Sequence, residues 1–273
     1  MKRLVIIAFL LAAASSFGQS KIEKLTKPII EEGKKLYKSE MASSYGSDIF
    51  LEKYKEREKI GGYFSYTENA TSKCIFFSKG EQPKVIGTMS FDDTFNLRTA
   101  KAELSERDFT ELEFELYTLR TKAMQALNSD TIFKQYKKTN LNLVPLISNG
   151  EKKVYVLTAP KEVNVMIFGN DYLLKFDNGN NLVSRQRIHQ DIIWTETDPK
   201  VGDSKQVVGG THTHLPETGD LITPTDICTL MLYEKLTSWE VYYIYSKEYV
   251  CIWNCDDDEL TAIPIKKNRE KQN

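Results

Sequence analysis

The chain has 273 residues and a formal net charge of −1, and charged residues make up 27% of it. This near-neutral balance excludes the basic surplus expected of a nucleic-acid-binding protein, and it gives no reason to expect an anionic membrane surface as a partner. Four cysteines in a chain of this length do not make a disulfide framework. Beyond residue 20, no apolar run approaches the roughly 20 residues that cross a bilayer.

The N-terminus predicts a secretory signal peptide over residues 1–18. Lys2 and Arg3 precede an apolar run over residues 4–14, and small residues follow it as far as Gly18. A short positively charged region, then an apolar stretch, then small residues at a cleavage site, in this order, are typical of a cleaved signal peptide. A core helix or a membrane anchor is the alternative. Cleavage near Gly18 changes the formal charge from −1 to −3, and we expect an exported protein, periplasmic or extracellular and soluble after processing.

The next two segments differ in character. Residues 21–59 are rich in Lys and Glu with scattered apolar positions, which predicts one or two surface helices with a break near Gly46. The following aromatic and β-branched runs predict an antiparallel meander, with strands over residues 63–66, 74–77 and 84–89.

A third segment predicts a helix capped by Ser105, because apolar residues recur at helical spacing from Phe109 to Leu127. The helix is expected to end near residues 128–129. Strand patterns then return over residues 143–147, 153–158, 163–168, 172–176 and 182–188.

These elements predict an α+β fold, in which a mixed or antiparallel sheet packs with helices. A soft boundary over residues 137–142 divides an N-terminal α+β region (19–140) from a β-rich C-terminal domain (141–266), and a basic tail follows (267–273). One continuous α+β domain is the alternative.

All three histidines of the chain fall between residues 189 and 214. His212 and His214 are one residue apart, so on a strand or its exit their side chains point to the same side. Asp226 opens an apolar stretch with helical spacing, for which Thr223 is a natural N-cap. Two imidazoles and one carboxylate with an open position are the ligands of catalytic Zn²⁺. Ordinary loop histidines and a capping Asp are the alternative.

This segment resembles the JAMM (MPN-type) metalloproteases, whose motif is His-x-His followed by Asp, with Ser three residues before the Asp. His212 and His214 match the two His ligands, Asp226 matches the acidic ligand, and Thr223 stands at the Ser position. The resemblance implies zinc-dependent hydrolysis of amide or isopeptide bonds, with Thr223 or a nearby backbone N–H stabilising the oxyanion. It also implies a strand–loop–helix–strand unit, with the helix over residues 227–236 and strands over 241–245 and 249–253.

The chain departs from the family pattern in three ways. Eleven residues separate His214 from Asp226, one more than in the motif, and the Pro that follows the second His comes one place late, at Pro216. The upstream Glu that the family uses in catalysis is not evident; Glu162 is the first candidate and Glu196 the second. The resemblance covers about 60 to 100 residues of the C-terminal half, and the N-terminal half matches nothing in that family.

Two further residues stand near the motif. His189 follows a predicted strand and could supply a third His ligand, a hydrogen bond to a ligand, or a substrate contact. Glu217 lies in the loop between the ligands and could hydrogen-bond a metal-bound group. A surface histidine and a solvated loop charge are the respective alternatives.

The sequence thus supports two hypotheses. In the first, the protein is an exported Zn²⁺-dependent hydrolase, for which export suggests a peptide or peptidoglycan-derived amide as substrate. In the second, it is a non-catalytic exported binding or envelope-associated protein, and the His-x-His segment is structural or degenerate. A carboxylate on the open side of the site, within reach of a metal-bound water, would favour the first hypothesis because it could accept the proton of that water.

Overall fold

A computed structural model of the chain describes residues 2–197 and 207–266 and, within them, the side chains from residue 21 onward. The fold is α+β, as predicted. The described helices are α1 (Lys2–Lys53), α2 (Glu111–Ser129) and α3 (Pro224–Tyr233). The strands are β1 (Ile60–Glu68), β2 (Thr71–Ser78), β3 (Val85–Phe91), β4 (Lys101–Glu103), β5 (Thr139–Ser148), β6 (Glu151–Pro160), β7 (Val165–Gly169), β8 (Tyr172–Phe176), β9 (Leu182–Arg187), β10 (Ile192–Glu196), β11 (Gly209–Thr213), β12 (Val241–Tyr245), β13 (Tyr249–Asn254) and β14 (Glu259–Pro264).

The described strands form four sheets, with the orders β1-β2-β3-β4, β5-β6-β8-β9, β7-β10 and β11-β12-β13-β14. The predicted N-terminal meander is confirmed, since β1, β2 and β3 pair antiparallel in sequence order. In the last sheet β11 runs parallel to β12. Parallel neighbours need a crossover connection, which here contains α3. This gives the strand, loop, helix and strand order expected for the histidine segment.

The helix predicted from Ser105 begins later than expected. Thr110 caps α2 instead, in a capping box in which its side chain accepts from Glu113 N and the Glu113 carboxylate accepts from Thr110 N. Residues before it are held in extended backbone, because Arg107 exchanges two backbone hydrogen bonds with Val85, at 2.9 and 3.0 Å. The predicted end near residues 128–129 is confirmed.

Helix α1 is where the sequence interpretation was wrong. It is one continuous helix through Gly46, and it is central to the structure, with Leu36, Ala42 and Phe50 fully buried. Its Ile29 packs against the core of the C-terminal sheet, while Ala42 and Phe50 belong to the core under β2 and β3. Residues 2–18 of the predicted leader lie within α1, and the leader itself stays a prediction. The basic tail, 267–273, lies outside the described residues.

Two glycines of α1 permit close packing and do not break the helix. A Cβ at Gly46 would stand 2.6 Å from the Cβ of Cys74 on β2. A Cβ at Gly33 would stand 2.7 Å from the Cβ of Ile227 and 3.0 Å from the carbonyl oxygen of Pro224, both on α3. Because Gly33 has no side chain, α1 can approach the first turn of α3 this closely.

The residue after α3 is a buried acid. The side chain of Glu234 is 1% exposed and accepts a hydrogen bond of 3.0 Å from Trp253 Nε1 on β13. Burial raises the pKa of Glu234 to about 7, and a hydrogen bond with Asp258 acts in the same direction. Its other charged or titratable neighbours are Lys235, Tyr37 of α1 and Cys255.

The described residues also bear on two expectations from composition. The four cysteines are free and buried, so they form no disulfide framework. Among the described residues, no helix carries an apolar stretch of the length and hydropathy that would let it span a bilayer.

We predict that Gly33→Ala lowers the free energy of unfolding by about 1–3 kcal/mol. Overpacking against Ile227 and the Pro224 carbonyl outweighs the gain in helix propensity of at most ~1 kcal/mol. Urea unfolding followed by circular dichroism measures the change. Ser44→Ala, at an exposed position of the same helix, is the control and should stay within about 0.5 kcal/mol of the parent. A Gly33→Ala protein as stable as the parent would contradict the packing argument.

A second prediction concerns pH. Because folding raises the pKa of Glu234 from 4.5 to about 7, its protonation stabilises the fold below pH ~4.5, and this contribution is lost as the pH rises through about 7. Its full size is roughly 3 kcal/mol. Unfolding by urea at pH 5 and pH 8 should show that Glu234→Gln reduces the parent's loss of stability over this interval. Glu259→Gln, at an exposed position, should leave that loss unchanged.

Candidate metal centre

The two motif histidines are held side by side at the end of β11. His212 lies on the strand, in parallel register with Ile244 of β12. The N–H of His214 donates to the carbonyl oxygen of Tyr245 at 2.7 Å, which extends the pairing one step past the strand. Both rings are buried and lie on the same side, with ring centroids 5.1 Å apart. The prediction of two imidazoles on one side of a strand is confirmed.

The carboxylate of Asp226 is fixed by the cap of α3. Asp226 N donates to Thr223 Oγ1 at 3.1 Å, and Asp226 Oδ2 accepts from Thr223 N at 2.9 Å and from Thr223 Oγ1 at 2.7 Å. Pro224 occupies the first turn, so the predicted N-cap is confirmed. The capping box holds one carboxylate oxygen and leaves Oδ1 free to face the histidines.

His189 lies directly in this cluster. It sits between β9 and β10, and its Nδ1 is 2.8 Å from Asp171 Oδ1, which also accepts from the backbone N–H of His189 at 3.2 Å. Its Nε2 is 3.2 Å from His214 Nε2 and 3.4 Å from Asp226 Oδ1. His189 therefore belongs to the same cluster as the two motif histidines and Asp226.

The resulting group could hold a metal ion. One ligand atom from each member lies within 4.8 Å of all the others, in the set His189, His212, His214 and Asp226. His212 Nε2 and Asp226 Oδ1 are 3.4 Å apart, and both are buried without a hydrogen-bond partner in the described structure. Four donors at 2.0–2.1 Å around one tetrahedral ion lie roughly 3.3–3.4 Å apart. Three separations match that spacing: Asp226 Oδ1 lies 3.4 Å from Nε2 of both His189 and His212, and the Nε2 atoms of His189 and His214 are 3.2 Å apart.

Other residues hold the ligands in place. The Nδ1 of His189 contacts the Asp171 carboxylate, and the Nδ1 of His212 lies 3.2 Å from the hydroxyl of Tyr242. A partner on the second ring nitrogen fixes the tautomer and orientation of a ligating imidazole. Outer hydrogen-bond partners orient the ligands of a metal centre in this way. Here Asp171 orients His189, Tyr242 orients His212 and Thr223 orients Asp226.

Burial and neighbouring charges shift the pKa values of the cluster residues in opposite directions. Burial lowers the pKa of His212 to about 4, so this ring is neutral near pH 7. Burial also lowers the pKa of His189, but the carboxylates of Asp171 and Asp226 outweigh it and hold the pKa well above the ordinary value. Burial favours a raised pKa for Asp226, yet the three histidines outweigh it and hold that pKa well below the usual range. Asp226 is thus an ionised, 1% exposed carboxylate.

A small cavity of about 50 Å³ adjoins the cluster on one side. Two cluster histidines line it, together with the polar residues Gln190 and Asp191 and the apolar residues Ile193 and Leu215. His214 and Asp226 do not line it and form the back of the cluster. A molecule approaching the cluster from this cavity therefore meets His189 and His212 first.

The remaining predicted site residues occupy other places. Thr223 gives its hydroxyl proton to Asp226, so it orients a ligand, and this geometry does not support the role of oxyanion donor. Glu162 lies in the turn before β7, in an ion pair of 2.8 Å with Lys138, and Glu196 pairs with Val165 at that same end of β7. Gly169, at the other end, lines the cavity. The strand is roughly 13 Å long from Val165 to Gly169, so both Glu lie at the far end of β7 from the cavity. Glu217 is exposed in its loop.

Three residues of the site were missed from the sequence: Asp171, Asp191 and Tyr242. Asp171 follows Asn170 in a turn before β8, where an acid is ordinary, so no signal of spacing marked it. Tyr242 lies in an aromatic strand and resembled core packing. Asp191, two residues after His189, is the one that proximity in sequence could have suggested.

Comparison with family models, with characterised proteins and with solved structures finds no match to this chain. The resemblance to the JAMM metalloproteases therefore stays a prediction, based on the motif residues.

We predict that the purified protein, supplied with divalent transition metal, binds about one equivalent of it, and that a His212→Ala/His214→Ala double variant loses the metal. Two of the converging nitrogens are then absent. Elemental mass spectrometry of the dialysed proteins measures the content. Thr213→Ala, which changes the exposed residue between the two histidines, is the control and should retain the metal. Equal metal content in the parent and the double variant would remove the cluster as the binding site.

Proposed function

We propose that this protein is a zinc-dependent hydrolase of amide or isopeptide bonds, with His212, His214 and Asp226 holding the metal. The observation that carries the proposal is the convergence of these side chains beside a cavity. Export, the expectation drawn from the N-terminal leader pattern, would place a peptide or a peptidoglycan-derived amide within reach of the enzyme.

The donor set favours zinc over harder cations. Imidazole nitrogens with one carboxylate suit Zn²⁺ and other first-row metals, whereas Mg²⁺ and Ca²⁺ take oxygen ligands. The carboxylates of Asp171 and Asp226 together balance the charge of one divalent ion. Bound there, zinc would supply a Lewis acid for the carbonyl group and lower the pKa of a coordinated water toward ~7.

The proton-carrying group in this proposal is His189, which lies upstream of the motif and lines the cavity beside the metal ligands. Asp171 Oδ1 accepts a hydrogen bond from Nδ1 at 2.8 Å, which leaves Nε2 as the atom that takes up a proton. The two carboxylates raise the pKa of His189, and a divalent cation held beside the ring would oppose that shift and favour its neutral, basic form. A histidine oriented by a carboxylate in this way takes a proton from the attacking water and returns it to the leaving nitrogen.

The walls of the cavity bear on the bound amide. Ile193 and Leu215 are 39% and 45% exposed beside it, so the cavity presents apolar surface next to two histidines. These side chains would exclude water around the scissile bond and hold a neighbouring apolar side chain of the substrate. The size of the cavity, about 50 Å³, fits the bond itself and leaves the rest of the substrate on the surface.

A second candidate is a closed, non-catalytic metal centre with His189 as the fourth ligand. The observation that favours it is that His189 Nε2 lies 3.2 and 3.4 Å from two other ligand atoms, the spacing of a tetrahedral site. Structural zinc sites fill all four positions with protein ligands, and catalytic sites keep one open. The role of His189 therefore separates the two candidates.

We predict that His189→Ala retains zinc and lowers amide hydrolysis by at least about 100-fold, because general-base catalysis contributes ~10²–10⁴. Zinc content is measured by elemental mass spectrometry. Activity is measured by mass spectrometry on a panel of unmodified peptides, isopeptide-linked peptides and muropeptides. Asp171→Asn should cause a smaller loss in the same direction, since it removes only the orienting carboxylate.

The controls make the alternative testable. Glu162→Gln, at the surface ion pair with Lys138, should leave both zinc content and activity unchanged. A zinc-loaded parent with no activity on the panel, together with loss of zinc from His189→Ala, would exclude the hydrolase and establish the four-ligand centre.

A further inference from the structure

A second cavity, of about 530 Å³, lies between α1, β1, α2 and β5. Its volume is within the range of small-molecule sites, about 300–1,000 Å³. Its lining shares no residue with the metal cluster. The apolar part of the lining comes from α2 and β5 and includes Leu112, Leu116, Val144, Leu146 and Ile147.

Three lysines of α1 line the same cavity: Lys34, Lys35 and Lys38. Lys38 is paired with Asp93 at 2.5 Å, and Lys35 donates to Ser148 Oγ at 2.6 Å. Within residues 21–197 and 207–266, no ion pair joins Lys34 or Lys35 to an acidic side chain. The acidic residue at the rim, Glu31, has its own partner 4.0 Å away in Lys27. The rim therefore carries unneutralised positive charge above an apolar floor.

This combination selects one class of ligand. The four hydroxyl side chains of the lining already have hydrogen-bond partners within the protein: Ser39, Ser65, Tyr66 and Thr67. The lining therefore offers little to the hydrogen-bonding groups of a sugar or nucleotide, and its leucine, isoleucine and valine side chains gain most from a hydrocarbon chain. Two ammonium groups at the edge favour a carboxylate over a neutral or cationic head group. A pocket between helices and strands admits a single chain, whereas the surface of a bilayer is flat.

We propose that this cavity binds a free fatty acid as its anion. The hydrocarbon chain lies against Leu116, Leu146 and Ile147, and the carboxylate lies between Lys34 and Lys35. The proposal does not depend on the metal centre, because neither the lining nor the lysines belong to it.

Titration calorimetry with dodecanoate, below its critical micelle concentration, tests the proposal on the full chain. We expect saturable binding of one equivalent. Lys34→Glu/Lys35→Glu should weaken it at least tenfold, and dodecanol should bind at least tenfold more weakly than dodecanoate. Shortening the chain should weaken binding by roughly three- to fourfold per methylene removed. Lys21→Glu/Lys24→Glu, with the same charge change at exposed positions of the same helix, should leave the affinity within twofold.

Leu146→Trp tests the apolar floor independently of charge. It should reduce dodecanoate affinity at least tenfold by filling the cavity, with an unchanged circular dichroism spectrum. Sedimentation with phosphatidylglycerol vesicles separates a membrane surface from a free fatty acid. No saturable binding of dodecanoate, equal weakening by both lysine pairs, or binding to vesicles alone would each overturn the proposal.

Discussion

The C-terminal half is organised around one buried carboxylate. Asp226 is 1% exposed and ionised, and an isolated charge at such a depth costs several kcal/mol. Two kinds of partner stabilise it: the cap of α3, through Thr223, and the three imidazoles that face Oδ1 and Oδ2. Each partner comes from a different part of the chain. The carboxylate therefore constrains the positions of α3, β11 and the loop between β9 and β10 at once.

Helix α1 connects that constraint to the rest of the protein. It contacts the first turn of α3 through Gly33. The lysines at the edge of the larger cavity begin at the next residue, Lys34, and further along the helix Gly46 packs against Cys74 of β2. A substitution that displaces α1 would consequently alter the packing around both the metal cluster and the lysine-rimmed cavity. The two proposed sites are chemically independent, but they share this helix as their support.

The choice between a hydrolase and a closed metal centre depends on one ring. His189 is the cluster member whose side chain is most exposed, and it lines the cavity. Asp171 orients it in either case, since a base and a ligand both need a fixed tautomer. The same geometry therefore serves both functions. The difference is whether Nε2 remains bound to the ion or exchanges a proton with a water beside it.

The sequence by itself determined the elements whose signals are local. The spacing of His212 and His214, the cap at Thr223 and the aromatic and β-branched runs of the meander each depend on neighbouring residues, and all are present in the structure. The α+β class follows from these elements. The start of α2 was misplaced because Ser105 and Thr110 are both capable caps, and only the pairing of Arg107 with Val85 distinguishes them.

Only the tertiary structure decided which distant residues meet. Asp171 lies just before β8 and His189 lies just after β9, so the antiparallel pairing of these strands brings both to the same end of the sheet, at the cluster. Glu162 and Glu196 lie at the other end of β7. The central place of α1 was equally hidden, since its charged composition resembles a surface helix and its close contacts depend on glycines. Long-range pairing and close approach are set by packing, and no local pattern in a single sequence records them.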